Sequence, residues 1–153
     1  TYIMRREGTS FDEMDAVLNR ESGVLGVSGL SADMRDVLAA ADAGNEQARL
    51  AIDMYVYRVQ KAIGGFYAAM TRTDAVVMTA GIGENSAELR ELIFEGLAHM
   101  GMILDRERNH VVGQIGVNRI ISIDDSPIKI CVVTTDEEMR IARETDNLVS
   151  QLG

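Results

Sequence analysis

Hydrophobic positions along the chain fall into a few blocks with distinct periods. From Asn45 to about Thr71, apolar residues recur at Ala48, Ala51, Ile52, Tyr55, Val59, Ala62 and Ile63. That three-to-four spacing predicts one long amphipathic helix, interrupted at Gly64-Gly65 by a bend or a close approach to a sheet. Ala75, Val76, Val77 and Met78 are consecutive and apolar. A continuous run of this length predicts a strand buried on both faces, extending to Thr79. After Ser86, apolar residues return to helical spacing at Leu89, Leu92, Ile93, Gly96 and Leu97, which predicts a helix to about Met100. Two short apolar runs, Arg119 to Ile123 and Ile128 to Val133, flank Asp124-Asp125-Ser126-Pro127. The turn chemistry of that linker predicts paired strands.

Helix-start signals complete the pattern. Residues 1–7 read as helix, and Ser10-Phe11-Asp12-Glu13 has the spacing of a capping box for a helix running to about Leu18. Gly23 to Gly29 reads as a glycine-spaced loop, with Asp33 placed to cap a short helix after it. Thr135 is expected to cap a final helix from Asp136 to about Leu152. The elements together predict an α/β chain, a small mixed sheet flanked by helices. With no repeat, low-complexity segment or Pro/Gly linker, a single domain is expected.

Composition narrows the function classes. The 153 residues suffice for a domain with a core, and a formal charge of −9 argues against a nucleic-acid footprint. No signal peptide or membrane-length apolar segment is present. Cys131, the only cysteine, lies in the apolar run from Ile128 to Val133 and reads as a buried, inert thiol. His99 and His110 lack metal-ligand spacing and read as surface or helix-end residues.

The candidate chemistry gathers at Asp74 to Ser86, where a strand, a glycine turn and a helix start follow without a break. Gly81 and Gly83 allow backbone conformations closed to other residues and close approach to a ligand. A turn of this kind suits an anion, yet it equally suits tight packing, and spacing alone leaves both readings open. It is no dinucleotide fingerprint, because Ser86 stands at the third glycine position. It is no P-loop either, because no Gly-Lys-Ser/Thr follows.

The literal string goes further. Thr79-Ala80-Gly81-Ile82-Gly83-Glu84-Asn85-Ser86, continued by Ala87-Glu88-Leu89-Arg90, closely resembles the second signature of the acetate and propionate kinases. These are short-chain acyl kinases of the actin-like, sugar-kinase-like ATPase superfamily. Gly23-Val24-Leu25-Gly26-Val27-Ser28-Gly29, with Ser31 to Asp36, resembles their adenosine-side loop. Gly96-Leu97 and Gly101-Met102 with Leu104-Asp105 resemble the segment after the signature helix. Thr134-Thr135-Asp136-Glu137-Glu138 resembles their penultimate motif, usually Pro-Thr-Asn-Glu-Glu. Here Thr134 stands for the proline, and Asp136 for the asparagine adds negative charge.

The resemblance implies a ribonuclease-H-like partial domain and a phosphotransferase with a carboxyl acceptor. Such an enzyme moves the γ-phosphoryl of ATP reversibly to acetate or propionate, giving an acyl phosphate and ADP. It implies that Gly81, Ile82, Gly83, Glu84 and Asn85 line the ATP site, that Asp33, Met34 and Arg35 flank the adenosine, and that Glu137 is the Mg²⁺-associated carboxylate. The family's transition-state arginines, histidine and carboxylate-side acid lie before this segment, and Arg5, Arg6 and Arg20 match no such motif. The expectation is therefore a cytoplasmic fragment carrying the nucleotide side, inactive by itself and pairing as a homodimer. The alternative is a non-catalytic nucleotide-binding or dimerisation module.

Overall fold

The computed structural model describes residues 1–111 and 118–152. Where one domain was expected, the chain divides into two compact units, Thr1–Gly64 and Gly65–Gly153. The division carries no linker signature because it falls inside a helix.

The first unit is helical. It begins with α1 (Tyr2–Glu7) and α2 (Phe11–Ala16), whose start is the expected capping box. Ser10 Oγ accepts from the Glu13 N–H, and the Glu13 carboxylate accepts from the Ser10 N–H at 2.7 Å. A π-helical turn, Val17–Glu21, continues α2. Gly23 to Ser28 is not a loop but the helix α3 (Gly23–Ser28), ended by Gly29 at φ 63°. Glycines three residues apart read as flexible in sequence; here Gly23 and Gly29 take the left-handed conformations at the two ends, and the residues between them wind into the helix.

Asp33 caps α4 (Met34–Asp42), as expected. Asn45 then opens α5 (Glu46–Ala69), its Oδ1 accepting from the Gln47 and Ala48 N–H groups at 3.0 Å. Full burial on α5 is confined to Ala48, Ala51, Ile52 and Val56; of the rest of the expected stripe Tyr55, Val59 and Ile63 are half-buried, and only Ala62 is exposed. Gly64 and Gly65 do not interrupt the helix. A Cβ at either would meet nothing within 4 Å, so no close approach demands them.

The second unit is built on a three-stranded mixed sheet ordered β1-β3-β2. Its strands are β1 (Ala75–Met78), β2 (Arg119–Ile120) and β3 (Lys129–Val132). β1 runs parallel to β3, from Ala75 opposite Lys129 to Met78 opposite Val132. β2 is antiparallel to β3, with Ile120 opposite Cys131, which is the predicted strand pair. Between β1 and β2 the chain forms α6 (Ala80–Asn85), α7 (Ala87–Glu95), a 3₁₀ turn at Ala98–Met100, and α8 (Arg106–Asn109). After β3 comes α9 (Glu137–Leu152).

Leu89, Ile93, Phe94 and Leu97 are buried, together with Met102, Ile121, Ile128, Ile130 and Val132. The expectation that β1 is covered on both faces is wrong. Its residues alternate between exposed and half-buried, and Val77 is 52% exposed. A run of apolar residues identifies a strand without saying how many layers cover it. Among the described residues β1 stands at an edge of the sheet, and the deeply buried strand is β3, where Ile130 and Val132 are both fully covered.

Gly101 and Ser126 fasten the turn before β3. Gly101 sits at φ 89°, where a Cβ would lie 3.2 Å from the Pro127 ring. Ser126 Oγ accepts from the Ile103 N–H at 3.0 Å and lies 2.7 Å from the Ile128 carbonyl. The burial difference along the sheet is directly testable. Ile130→Ala should cost about 2–5 kcal/mol in urea unfolding, whereas Val77→Ala should cost under about 1 kcal/mol. Equal costs would contradict the edge position of β1.

Candidate functional site

β1 and β3 stay together as far as the Val133 N–H, which donates to the Met78 carbonyl at 2.9 Å. Beyond that bond the two chains separate, β1 into α6 and β3 towards α9. A crevice at the carboxyl ends of adjacent parallel strands is where open α/β sheets bind ligands. Here it is a cleft of about 410 Å³ lined by Ala80, Gly81, Thr135, Asp136 and Glu138.

The wall from β1 is shaped differently from the sequence expectation. Neither Gly81 nor Gly83 has a positive φ; the left-handed residue is Ala80, at φ 59°. Gly83 is buried, and a Cβ there would lie 3.2 Å from the Met78 carbonyl carbon, so it serves close packing of α6 on the strand end. Gly81 faces open space and lines the cleft. One glycine packs and the other leaves room. Ile82 is half-buried, and Asn85 Nδ2 donates to the Gly81 carbonyl at 2.9 Å.

Glu84 spans the cleft's two walls. Its Oε1 accepts from the Ala80 N–H at 2.8 Å, the Thr135 N–H at 3.0 Å and the Thr135 hydroxyl at 2.9 Å. The Thr135 donors, then that of Ala80 and the Thr79 hydroxyl, hold this carboxyl below its ordinary range.

Thr135 is thereby taken from the capping role expected of it. Asp136 caps α9 instead, its Oδ1 accepting from the Met139 N–H at 2.9 Å. Both residues are competent caps, and the cross-chain bonds to Glu84 decide between them. Glu137 opens α9, but its side chain lies outside what the structure describes. Among the described residues no group of three His, Cys, Asp or Glu is arranged to hold a metal.

Arg90, which the sequence reading did not single out, holds the turn from below. It is 2% exposed and forks onto neutral partners. Nη1 donates to the Gly83 and Glu84 carbonyls at 3.0 Å, Nε to Asn109 Oδ1 at 2.7 Å, and Nη2 to the Asn109 carbonyl at 3.0 Å. Asn109 Nδ2 in turn donates to the Ala87 carbonyl at 2.9 Å. Burial, and secondarily the charge of Arg119, pull the guanidinium down to about 10, so it stays charged at neutral pH. The signal was available: Arg90 lies three residues before Ile93 and four before Phe94, and a cation on that apolar face of α7 needs buried partners.

Asp33, Met34 and Arg35 belong to the first unit, whereas Gly81 to Asn85 and Glu137 belong to the second. Asp33 Oδ1 accepts the Arg35 N–H at 2.9 Å, and the Arg35 guanidinium folds back onto the same carboxylate. That side-chain contact first, and the backbone bond second, hold Asp33 down to about 2. Met34 is only 6% exposed. His99 is exposed, His110 Nε2 lies 3.0 Å from Glu91 Oε1, and Cys131 is half-buried in β3.

A profile of the acetokinase family matches residues 1–143. The chain is 46% identical to an acetate kinase of Bacillus cytotoxicus over 96% of its own length and 36% of that protein's. Against an acetate kinase of Alkaliphilus metalliredigens it is 44% identical, over 97% of this chain and 37% of the other. Among solved structures, Porphyromonas gingivalis acetate kinase superposes with a TM-score of 0.84 at 39% identity, over 97% of this chain and 37% of that one. A propionate kinase from Francisella tularensis gives 0.82 at 36% identity, over 94% and 35%. The chain thus spans little more than a third of the length of the curated relatives it matches.

The Arg90 fork yields a stability prediction. Arg90→Met should lower the unfolding free energy by about 2–4 kcal/mol, because it strands buried acceptors on Gly83, Glu84 and Asn109. Arg90→Lys should recover less than half of this, since one ammonium cannot replace a planar fork. Urea titration measures both, and full rescue by lysine would contradict the geometry.

Proposed function

Because the chain belongs to the acetokinase family, we propose that it forms the nucleotide-side portion of a kinase. That enzyme would transfer the γ-phosphoryl of ATP reversibly to acetate or propionate, yielding ADP and an acyl phosphate. The observation that carries this reading is the cleft at the carboxyl ends of β1 and β3, walled by Ala80 and Gly81 of the signature string and by Thr135, Asp136 and Glu138. Phosphoryl transfer asks mainly for positioning and charge neutralisation, and this cleft supplies the positioning of the nucleotide.

The donor set suits Mg²⁺, which prefers hard oxygen ligands and takes one or two carboxylates while phosphates and water complete its shell. Asp136 and Glu138 bring carboxylates to the cleft, although one Asp136 oxygen is occupied by the Met139 N–H. Glu137, between them in sequence, is the residue we assign to the metal. Bound there, Mg²⁺ would neutralise phosphate charge. For the adenosine we assign Asp33 and Arg35. The guanidinium edge of Arg35 is engaged by Asp33, which leaves its exposed plane to stack on a base.

We further assign pairing of two copies to α5, where Leu50, Met54 and Tyr57 are exposed at helical spacing. No helix among the described residues is long and apolar enough to cross a membrane. Sedimentation of a single species at dimer mass supports the pairing, and a monomer at micromolar concentration contradicts it.

Calorimetry with ADP and Mg²⁺ on the wild type and on Gly81→Val tests the nucleotide reading. A Cβ at Gly81 meets no atom and needs no unusual φ, so the variant should fold normally. Its branched side chain should occupy cleft space and weaken binding at least about tenfold, or roughly 1.4 kcal/mol. Unchanged affinity in the variant would remove the nucleotide from this cleft.

A further inference from the structure

We propose that Glu84 is a positioning residue, one that fixes the separation of the two cleft walls and does not itself contact the nucleotide. The inference rests on the nucleotide reading of the cleft. It reassigns a residue that the family signature alone would count as part of the nucleotide's lining.

Three observations carry it. After the last ladder bond, from Val133 to Met78, the backbone of β1 no longer pairs with that of β3. The described hydrogen bonds that reconnect the Ala80–Asn85 segment with Thr135 both run through Glu84 Oε1. The same oxygen takes the Ala80 N–H at 2.8 Å.

Ala80 is held at φ 59°, a conformation unfavourable for a non-glycine residue that persists only where its surroundings offset the cost. Glu84, four residues on, is the enforcing group: its side chain reaches back over the turn and accepts the very N–H that the left-handed residue presents. Ala80 and Thr135 both line the cleft, so one carboxylate oxygen sets the conformation of one wall and its distance from the other.

Oε1 already receives three donors and has little accepting capacity left. A carboxylate also repels phosphate, so direct contact with a nucleotide's charged end is chemically poor. The donors from Ala80 and Thr135 stabilise that charge where it stands and hold Glu84 as a strut between the walls.

The test is a double-mutant cycle on the full chain, reading Mg²⁺–ADP affinity by calorimetry and the Ala80 and Thr135 amides by NMR hydrogen exchange. Glu84→Ala and Thr135→Val should each weaken binding about threefold to tenfold, and the double variant should be no weaker than Glu84→Ala within about twofold. Thr135→Ser keeps the hydroxyl and should retain wild-type affinity. In Glu84→Ala the two amides should exchange faster together. Loss of binding in Glu84→Ala with no faster exchange of the Ala80 and Thr135 amides would mean direct contact and overturn the proposal, as would multiplicative effects. Should Glu84→Ala fail to fold, Thr135→Val, which leaves the Thr135 N–H bond in place, still decides through its affinity. Absence of ADP binding by the folded wild type would overturn the nucleotide reading alone. The strut would then stand or fall on whether the two amides lose protection together.

Discussion

Two parallel strands that part company leave backbone groups without ladder partners, and the second unit is organised around satisfying them. The parting occurs past Met78 and Val133, where β1 turns into α6 and β3 runs on to α9. Glu84 takes the orphaned donors, the N–H groups of Ala80 and Thr135. Arg90 takes carbonyls at the other end of the same short helix, those of Gly83 and Glu84. A six-residue helix would be marginal by itself. Here an anionic side chain satisfies donors near its start, a buried cation satisfies acceptors near its end, and Gly83 lets it sit against the strand.

The same arrangement links stability to function. Buried polar groups left unpaired are costly, so the Arg90–Asn109 network ties α7, α8 and the turn into one piece. The turn can then hold an unfavourable backbone conformation at Ala80 next to an unobstructed glycine at Gly81. In the proposed kinase such preorganisation would matter, since misplacement of a reacting group by an ångström is expensive. On the opposite wall, Asp136 caps α9 and keeps the carboxylate-bearing segment in register with the cleft.

Much of this was legible in the chain, for reasons that differ by element. The capping box at Ser10–Glu13, the Asp33 cap, the existence of α5, the α7 periodicity and the β2–β3 pairing all rest on local rules, and local rules sufficed. The signature string located the turn more sharply than any periodicity did. What sequence could not supply was tertiary. Left-handed backbone was expected at Gly81 and Gly83 because glycine tolerates it, whereas it falls on Ala80, whose N–H meets a side-chain acceptor four residues away. Thr135 and Asp136 are equally good caps on paper, and a partner 51 positions away chooses between them. The exposure of β1 depends on which strand stands in the middle of the sheet, which a run of four apolar residues cannot say.

The central claim is that the crevice where β1 and β3 separate is the nucleotide's seat. Hydrogen exchange of the full chain, followed by mass spectrometry with and without Mg²⁺–ADP, tests it most directly. The account predicts that nucleotide slows exchange in the segments 79–86 and 134–138 together. Protection confined to other segments, with these two unchanged while nucleotide is bound, would contradict it.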